Sequence, residues 1–224
     1  MTRTSPSGGA EGDAEPALLI ASFNPGKARE LQALLEAFGR SAVTLADLGI
    51  REPYEETGNT YEENGLGKAR HYARLSGKVT IADDSGLEVE ALGGAPGPLS
   101  ARYGGPRLDD AGRNRALLAA LADVPDDRRG ARYVAVAVVA RPDGEARSFR
   151  GECPGRIATT PRGEKGFGYD PLFFYPPYGA TLAEVGDARK HAVSHRGAAF
   201  RLLTEFLGSG EGEQFLRGAG VAAR

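Results

Sequence analysis

Cysteine occurs once in the 224 residues, at Cys153, so no internal disulfide can form and no cysteine cluster can hold zinc. A lone thiol suits a reducing compartment, and a cytoplasmic setting is the expectation. Long apolar runs are also missing. Nothing approaches the roughly 20 residues of a membrane helix, so no membrane partner is expected. The first 16 residues lack the apolar core of a secretory signal. They read as a disordered N-terminal tail, and the glycine-rich 209–224 as a flexible C-terminal tail, around a single domain over 17–208. Excess charge of either sign is absent too. A net charge of −2 gives no bulk attraction for a polyanion, and no nucleic-acid partner is expected. Lysine is scarce: of 28 lysines and arginines only five are lysine, namely Lys27, Lys68, Lys78, Lys165 and Lys190. No Ser/His/Asp or Cys/His pattern suggests a covalent nucleophile.

What is present suits a folded domain, with 41% hydrophobic and 26% charged residues. Ala17 to Phe23 reads as a short buried strand. Asn24 then caps a helix with Pro25 at its first position, and Leu31, Leu34, Leu35 and Phe38 share one face before Gly39 ends it. A second strand is expected over Ser41 to Leu45. Thr60-Tyr61-Glu62-Glu63 is a capping box, opening a helix to about Leu75 with Leu66, Ala69, Tyr72 and Ala73 inward. Val79 to Ala82 is the next strand, and Gly86 to Leu92 either prolongs it or turns. After a glycine- and proline-rich loop, Asp109 opens a helix with Leu117, Leu118, Leu121 and Val124 inward. Tyr133 to Ala140 is the clearest strand, and Pro142-Asp143-Gly144 turns it into a partner over Ala146 to Glu152. Pro171 to Tyr175 is short and extended, and Ser194 caps a last helix carrying Phe200, Leu203, Phe206 and Leu207. Strands alternating with helices around one antiparallel hairpin predict an α/β fold with a mixed sheet.

The chemistry gathers at the junctions. In Ser22-Phe23-Asn24-Pro25-Gly26-Lys27 a strand meets a helix N-terminus. Free N–H groups, a permissive glycine and a lysine there suit a phosphate. The spacing does not match the GxxxxGK[ST] phosphate loop. Glu55 and Glu56 form either a solvated acidic turn or part of an ion site. Asp83 and Asp84 follow an apolar run, where a merely solvated pair fits poorly. Neighbouring strand residues face opposite ways, so one aspartate can face a cleft while the other braces a loop. Carboxylates with Mg²⁺ are a common means of holding a polyphosphate, and a further carboxylate can orient a water. In Gly166 to Pro171 two aromatics alternate with two glycines. This is either a stacking platform for a base or a bulge with core aromatics, and Asp170 either meets a sugar hydroxyl or holds the loop. Lys190, His195 and Arg196 bracket the helix capped by Ser194, where their donors could meet a purine carbonyl.

Six segments carry a resemblance: ASFNPGKAREL, EETGNTYEEN, ADDSGLEV, LGGAPGPLSARY, GFGYDPLF and SHRGA. In this order, over Leu18 to Leu207, they resemble the inosine/xanthosine triphosphate pyrophosphatase family. The resemblance implies an elongated mixed β-sheet flanked by helices, two lobes with a central substrate cleft, and a homodimer. It implies Mg²⁺-dependent hydrolysis of non-standard purine nucleoside triphosphates (ITP, dITP, XTP) to the monophosphate and pyrophosphate, which clears them from the nucleotide pool. Carried onto this sequence, it has Ser22, Phe23, Asn24, Pro25, Gly26 and Lys27 hold the triphosphate, with Lys68 toward the phosphates. Glu55 and Asp84 serve the metal, Asp84 is also the general base, and Ser85 contacts substrate. Phe167, Gly168, Tyr169 and Asp170 form the base and sugar pocket, completed by Lys190, His195 and Arg196. Two features depart from many relatives. Phe23 is bulky where they carry glycine. Gly65 and Gly67 beside Lys68, each costing about 0.5–1 kcal/mol against alanine in a helix, predict a looser helix. The alternatives are a Maf-type nucleotide pyrophosphatase with another base preference and a nucleotide sensor without turnover. The acids and lysines that a sensor would have lost are all present.

Overall fold

A computed structural model describes residues 17–218, and the tail expected at 1–16 lies outside the described residues. The chain runs β1 (Leu18–Ile20), α1 (Pro25–Ala37), β2 (Ala42–Thr44), α2 (Tyr61–Ser76), β3 (Thr80–Val89), β4 (Pro96–Gly97), α3 (Asp110–Ala120), β5 (Gly130–Ala140), β6 (Ala146–Ile157), β7 (Phe173–Tyr175), β8 (Ala180–Thr181), α4 (Asp187–Val193), α5 (His195–Leu207) and α6 (Gly210–Gly218). One mixed sheet has the order β2-β1-β3-β5-β6-β7-β8, with β4 added to β3. β2, β1 and β3 are parallel, and the pairings from β3 through β5, β6 and β7 to β8 are antiparallel. The mixed sheet is therefore the one expected.

Local signals place the helices. Asn24 caps α1 with Pro25 next to it, Thr60 and Glu63 close a capping box on α2, and Asp109 and Ser194 cap α3 and α5. The hairpin between β5 and β6 turns at Gly144, whose φ of +96° favours glycine. β3 alternates faces as the pleat requires. Ile81, with Ala135, Ala137 and Val139 of β5, lies under α1, α5 and α6. Ala82, with Val134, Val136 and Val138, lies under α2. A separate core at the antiparallel end joins Leu87 and Val89 to Leu117 and Leu121 of α3, and to Tyr133, Cys153 and Phe173.

Between these cores the sheet has a gap. β1 pairs with β3 only at Thr80 and Ile81, while β4 pairs at Leu87 and Glu88. Among the described residues, 82–86 of β3 thus have a strand on the β5 side alone. In an open α/β sheet, ligands bind in the crevice beyond the carboxyl end of a parallel strand, and β1 ends beside this gap.

Several expectations change. Asp83 and Asp84 lie within β3 and not at its end, because the strand continues to Val89. Phe38 is the C-cap of α1 and exposed. The tail expected over 209–224 is helical to Gly218. Phe215 is buried against the core and packs edge-on to Phe206, with the Arg141 and Arg147 guanidiniums over its ring. Residues 219–224 lie outside the described residues. Gly65 and Gly67 are close-packing positions and not signs of a loose helix. A Cβ at 65 would sit 3.0 Å from Val138 Cγ2, and one at 67 would sit 2.2 Å from Tyr54 Oη.

Candidate active site

Asp83 and Asp84 face opposite sides of β3, and each side supplies a different neighbourhood. Asp83, 1% exposed, takes the Lys27 ammonium at 3.2 Å and the Arg196 Nε at 3.1 Å. Burial alone would raise its pKa, but these two cations hold it well below the ordinary carboxylate range. Arg196 is itself fixed, with Nη1 3.1 Å from Glu30 and Nη2 donating to Ser85 Oγ at 2.8 Å. Glu30 also takes Lys190 at 2.7 Å, and Lys190 reaches Asp170 at 2.7 Å. A continuous chain of charges therefore links α1, β3, α4, α5 and the loop before β7.

Asp84 lies on the α2 side. Its Oδ2 accepts from Asn64 Nδ2 at 3.1 Å, and its Oδ1 accepts from the Ser85 N–H at 2.8 Å. Among the described residues no cation pairs with it directly. Burial raises its pKa against the pull of the Lys27 and Lys68 ammoniums, and the nearby Glu56 carboxylate raises it further. Lys68, on α2, binds Glu56 at 2.5 Å. The two consecutive glutamates therefore separate. Glu55 is exposed, whereas Glu56 turns inward to Lys68 beside Asp84. The expectation gave Glu55 to the metal, whereas the carboxylate that stands beside Asp84 is Glu56. Tyr72 anchors the segment just upstream of this pair. Its Oη donates to Glu52 O at 2.8 Å and accepts from the Tyr54 N–H at 2.7 Å.

Among the described residues no group of three metal-ligating side chains forms a closed cage. Mg²⁺ does not need one, because it commonly binds through one or two carboxylates plus substrate phosphates and water. The like-charge neighbours Glu56 and Asp84, open to the gap in the sheet, fit that mode.

At the start of α1 the Asn24 Oδ1 accepts from Gly26 N at 2.9 Å and Lys27 N at 3.1 Å. The N–H groups expected to hold phosphate are thus capped from within, and the Lys27 ammonium is the charge this corner presents. Ser22 Oγ accepts from Asn24 N at 3.3 Å. Phe23 points aside, edge-on to Tyr72 at 6.3 Å, so its bulk does not fill the corner.

At the base end, Phe167 lies against Gly26, where a Cβ would come within 2.8 Å of its ring. The Lys190 Nζ and the Arg196 guanidinium carbon stand 4.7 and 5.1 Å from the ring centroid. Asp170 holds the loop, accepting from Phe167 N at 2.9 Å as well as from Lys190. Both polar groups of the Gly168 backbone are met by α3: its N–H donates to Asp110 at 2.7 Å, and its carbonyl accepts from Asn114 at 3.0 Å. Tyr169 has a buried side chain, with its Oη donating to Ser100 O at 2.8 Å, which anchors this end of the loop to the core. His195 is buried and stacked on Tyr133, with ring centroids 4.5 Å apart and planes 10° apart. Burial, with Arg196 and Lys190 close by, holds its pKa well below the ordinary value, so the imidazole is neutral. Gly151 allows this approach, since a Cβ there would lie 2.2 Å from the His195 carbonyl.

The structure brings together Lys27, Lys68, Asp84, Ser85, Phe167, Asp170, Lys190, His195 and Arg196. It adds Glu30, Asn64, Asp110, Asn114 and Tyr133, which sequence reasoning did not assign, and Glu56, which it left open beside Glu55. Glu30 had one available signal, its place one turn after Lys27. Asn64 had another, its place in the first turn after the capping box. Cys153 takes no part, because desolvation pushes its buried thiol up to about 12.

Comparisons with known proteins give the family. The Ham1 family matches residues 18–206. A dITP/XTP pyrophosphatase of Yersinia pseudotuberculosis is 50% identical over 192 residues, which is 85% of this chain and 97% of the relative. One of Thermus thermophilus is 50% identical over 188 residues, covering 84% of this chain and 90% of its own. The solved structure of a HAM1 protein from Coxiella burnetii, 38% identical, superposes with a TM-score of 0.77, covering 85% of this chain and 98% of its own. The Staphylococcus aureus Ham1 protein, 39% identical, gives a TM-score of 0.77 over 88% of this chain and 100% of its own. Sequence, architecture and cleft together place this chain in the Ham1 family.

Proposed function

We propose that the chain is a nucleoside triphosphate pyrophosphohydrolase that converts ITP, dITP and XTP to the monophosphate and pyrophosphate. The observation that carries this reading is Asp84. It is a buried carboxylate with no cation paired to it among the described residues, held by neutral donors in a sheet gap flanked by Lys27 and Lys68. The relatives named as dITP/XTP pyrophosphatases support the substrate class.

Glu56 and Asp84 would hold Mg²⁺, which neutralises triphosphate charge and withdraws electron density from phosphorus when bound. Asp84 keeps acceptor sites for a water aimed at the α-phosphorus, and its raised pKa makes it a better proton acceptor than an ordinary aspartate. Lys27 and Lys68 stabilise charge on the departing pyrophosphate. Phe167 offers a face to the base. Arg196 commits three N–H groups to Asp83, Glu30 and Ser85, and a guanidinium has five. Its remaining donors suit a 6-oxo acceptor and leave an unmatched contact with the amino group of adenine. Sites built on such hydrogen bonds discriminate by roughly 10⁴ or more. The proposal carries with it a homodimer, taken from the family resemblance, and a cytoplasmic setting, taken from the single cysteine.

The test is pyrophosphate release across ITP, dITP, XTP, ATP, GTP, dTTP and UTP, with and without Mg²⁺. The expected result is Mg²⁺-dependent release that favours the 6-oxo purines ITP, dITP and XTP over ATP. Preference for dTTP or UTP would favour a Maf-type activity, and binding without release would favour a sensor.

A further inference from the structure

Asn64 touches both halves of the acidic wall. Its Oδ1 accepts from the Gly58 N–H at 2.8 Å, and its Nδ2 donates to Asp84 Oδ2 at 3.1 Å. Gly58 lies two residues beyond Glu56, whereas Asp84 belongs to β3. One side chain therefore bridges the segment carrying one carboxylate and the strand carrying the other. The amide orientation is dictated by its partners, since a flip would set NH₂ against N–H and oxygen against carboxylate. Asn64 is 2% exposed, so neither partner is readily replaced by water.

The surroundings are shaped for this contact. A Cβ at Gly58 would fall 2.7 Å from Asn64 Oδ1, so only glycine lets the segment come this close. Gly65 brings α2 against β5 and the Asp84 backbone, which puts Asn64 within reach of the strand. Tyr72 ties the upstream end of the same segment through Glu52 and Tyr54, so Glu56 hangs between two anchors. A neutral donor also leaves the charge on Asp84 intact, where a cation would compete with metal and water.

We propose that Asn64 is a positioning residue for hydrolysis: it ties the Glu56 segment to β3 and fixes the orientation of the Asp84 carboxylate toward the cleft. The inference rests on the reading of Asp84 as the carboxylate that orients water.

Two variants separate the two bonds. Asn64→Asp keeps an acceptor for Gly58 but sets a second carboxylate against Asp84 in place of the amide donor, and Asn64→Ala loses both. Each is compared with wild type and with Asp84→Asn for ITP turnover, and for amide hydrogen exchange at Gly58 in the metal-free protein. The expected kcat falls ~10- to 100-fold in both variants. KM stays within about 3-fold, because the base and lysine contacts come from other side chains. Gly58 exchange speeds up in Asn64→Ala and stays near wild type in Asn64→Asp. A merely structural Asn64 would leave folded Asn64→Ala, which adds no charge beside Asp84, at wild-type kcat. That result, alongside an inactive Asp84→Asn, overturns the inference. Turnover by Asp84→Asn overturns the underlying reading and the inference with it. Unchanged Gly58 exchange in Asn64→Ala removes the tie to the Glu56 segment. Should Asn64→Ala not fold, the kcat of Asn64→Ser, which adds no charge beside Asp84, decides.

Discussion

The two faces of β3 present the same side chain in opposite electrostatic settings. On the α1 and α5 face Asp83 is neutralised by Lys27 and Arg196, and its pKa is held low. On the α2 face Asp84 meets an amide, a backbone N–H and another carboxylate, and its pKa is raised. A carboxylate whose charge is already balanced is a strut, because nothing is gained by offering it more positive charge. One buried without a partner cation sits at higher energy and gains when a cation arrives. The repulsion implied by two adjacent aspartates is thus resolved by pleat geometry. The faces share a strand but not a role.

The sharpest way to break this comparison is to exchange charge for an amide on each face. Asp84→Asn should lower kcat by ~10³-fold, within the usual range for a general base, while unfolding free energy stays within about 1 kcal/mol of wild type. Asp83→Asn should do the reverse. Removing one partner of a buried ion pair costs about 3–5 kcal/mol, and urea unfolding reads it directly. Equal stability losses for both would erase the distinction.

A smaller effect sharpens the Asp83 face. His195 stays neutral in the folded protein, whereas in the unfolded chain a histidine titrates near ~6.5. Below that pH the unfolded state takes up a proton that the folded state refuses, so stability falls as pH drops. For one such group the loss between about pH 7.5 and 5.5 is about 1.4 kcal/mol. His195→Phe, which keeps a ring against Tyr133, should lack that loss, and an unchanged pH slope would place its source elsewhere. The smallest effect belongs to the Asp84 face. Gly65→Ala adds a Cβ 3.0 Å from Val138, which pushes α2 outward by a few tenths of an ångström. A gain of about 1 kcal/mol in helix propensity offsets the crowding, so Tm should barely move while kcat falls ~3- to 10-fold.

What was legible in the sequence is local. Asn24 with Pro25, Thr60 with Glu63, Asp109 and Ser194 each act within one turn of a helix, so their sequence patterns carried the helix starts. The alternation that splits Asp83 from Asp84 is likewise a property of the strand alone. What was not legible depends on distant partners. α6 is glycine-rich, and its place comes from Phe215 meeting Phe206 and two guanidiniums. α4 has seven residues, and its Lys190 is fixed by Glu30 and Asp170. Tyr169 and Phe167 look alike in sequence, yet one is taken into the core by Ser100 while the other stays at the cleft. The choice of Glu56 over Glu55 needed Lys68, which is not adjacent to them in the chain.

That choice offers the most direct test of where the chemistry happens. Glu55→Gln and Glu56→Gln are compared for Mg²⁺-dependent pyrophosphate release from ITP. A cleft formed by the inward carboxylates predicts a kcat loss of ~10²-fold for Glu56→Gln, and turnover within about 2-fold of wild type for Glu55→Gln. An inactive Glu55→Gln beside a fully active Glu56→Gln would contradict it.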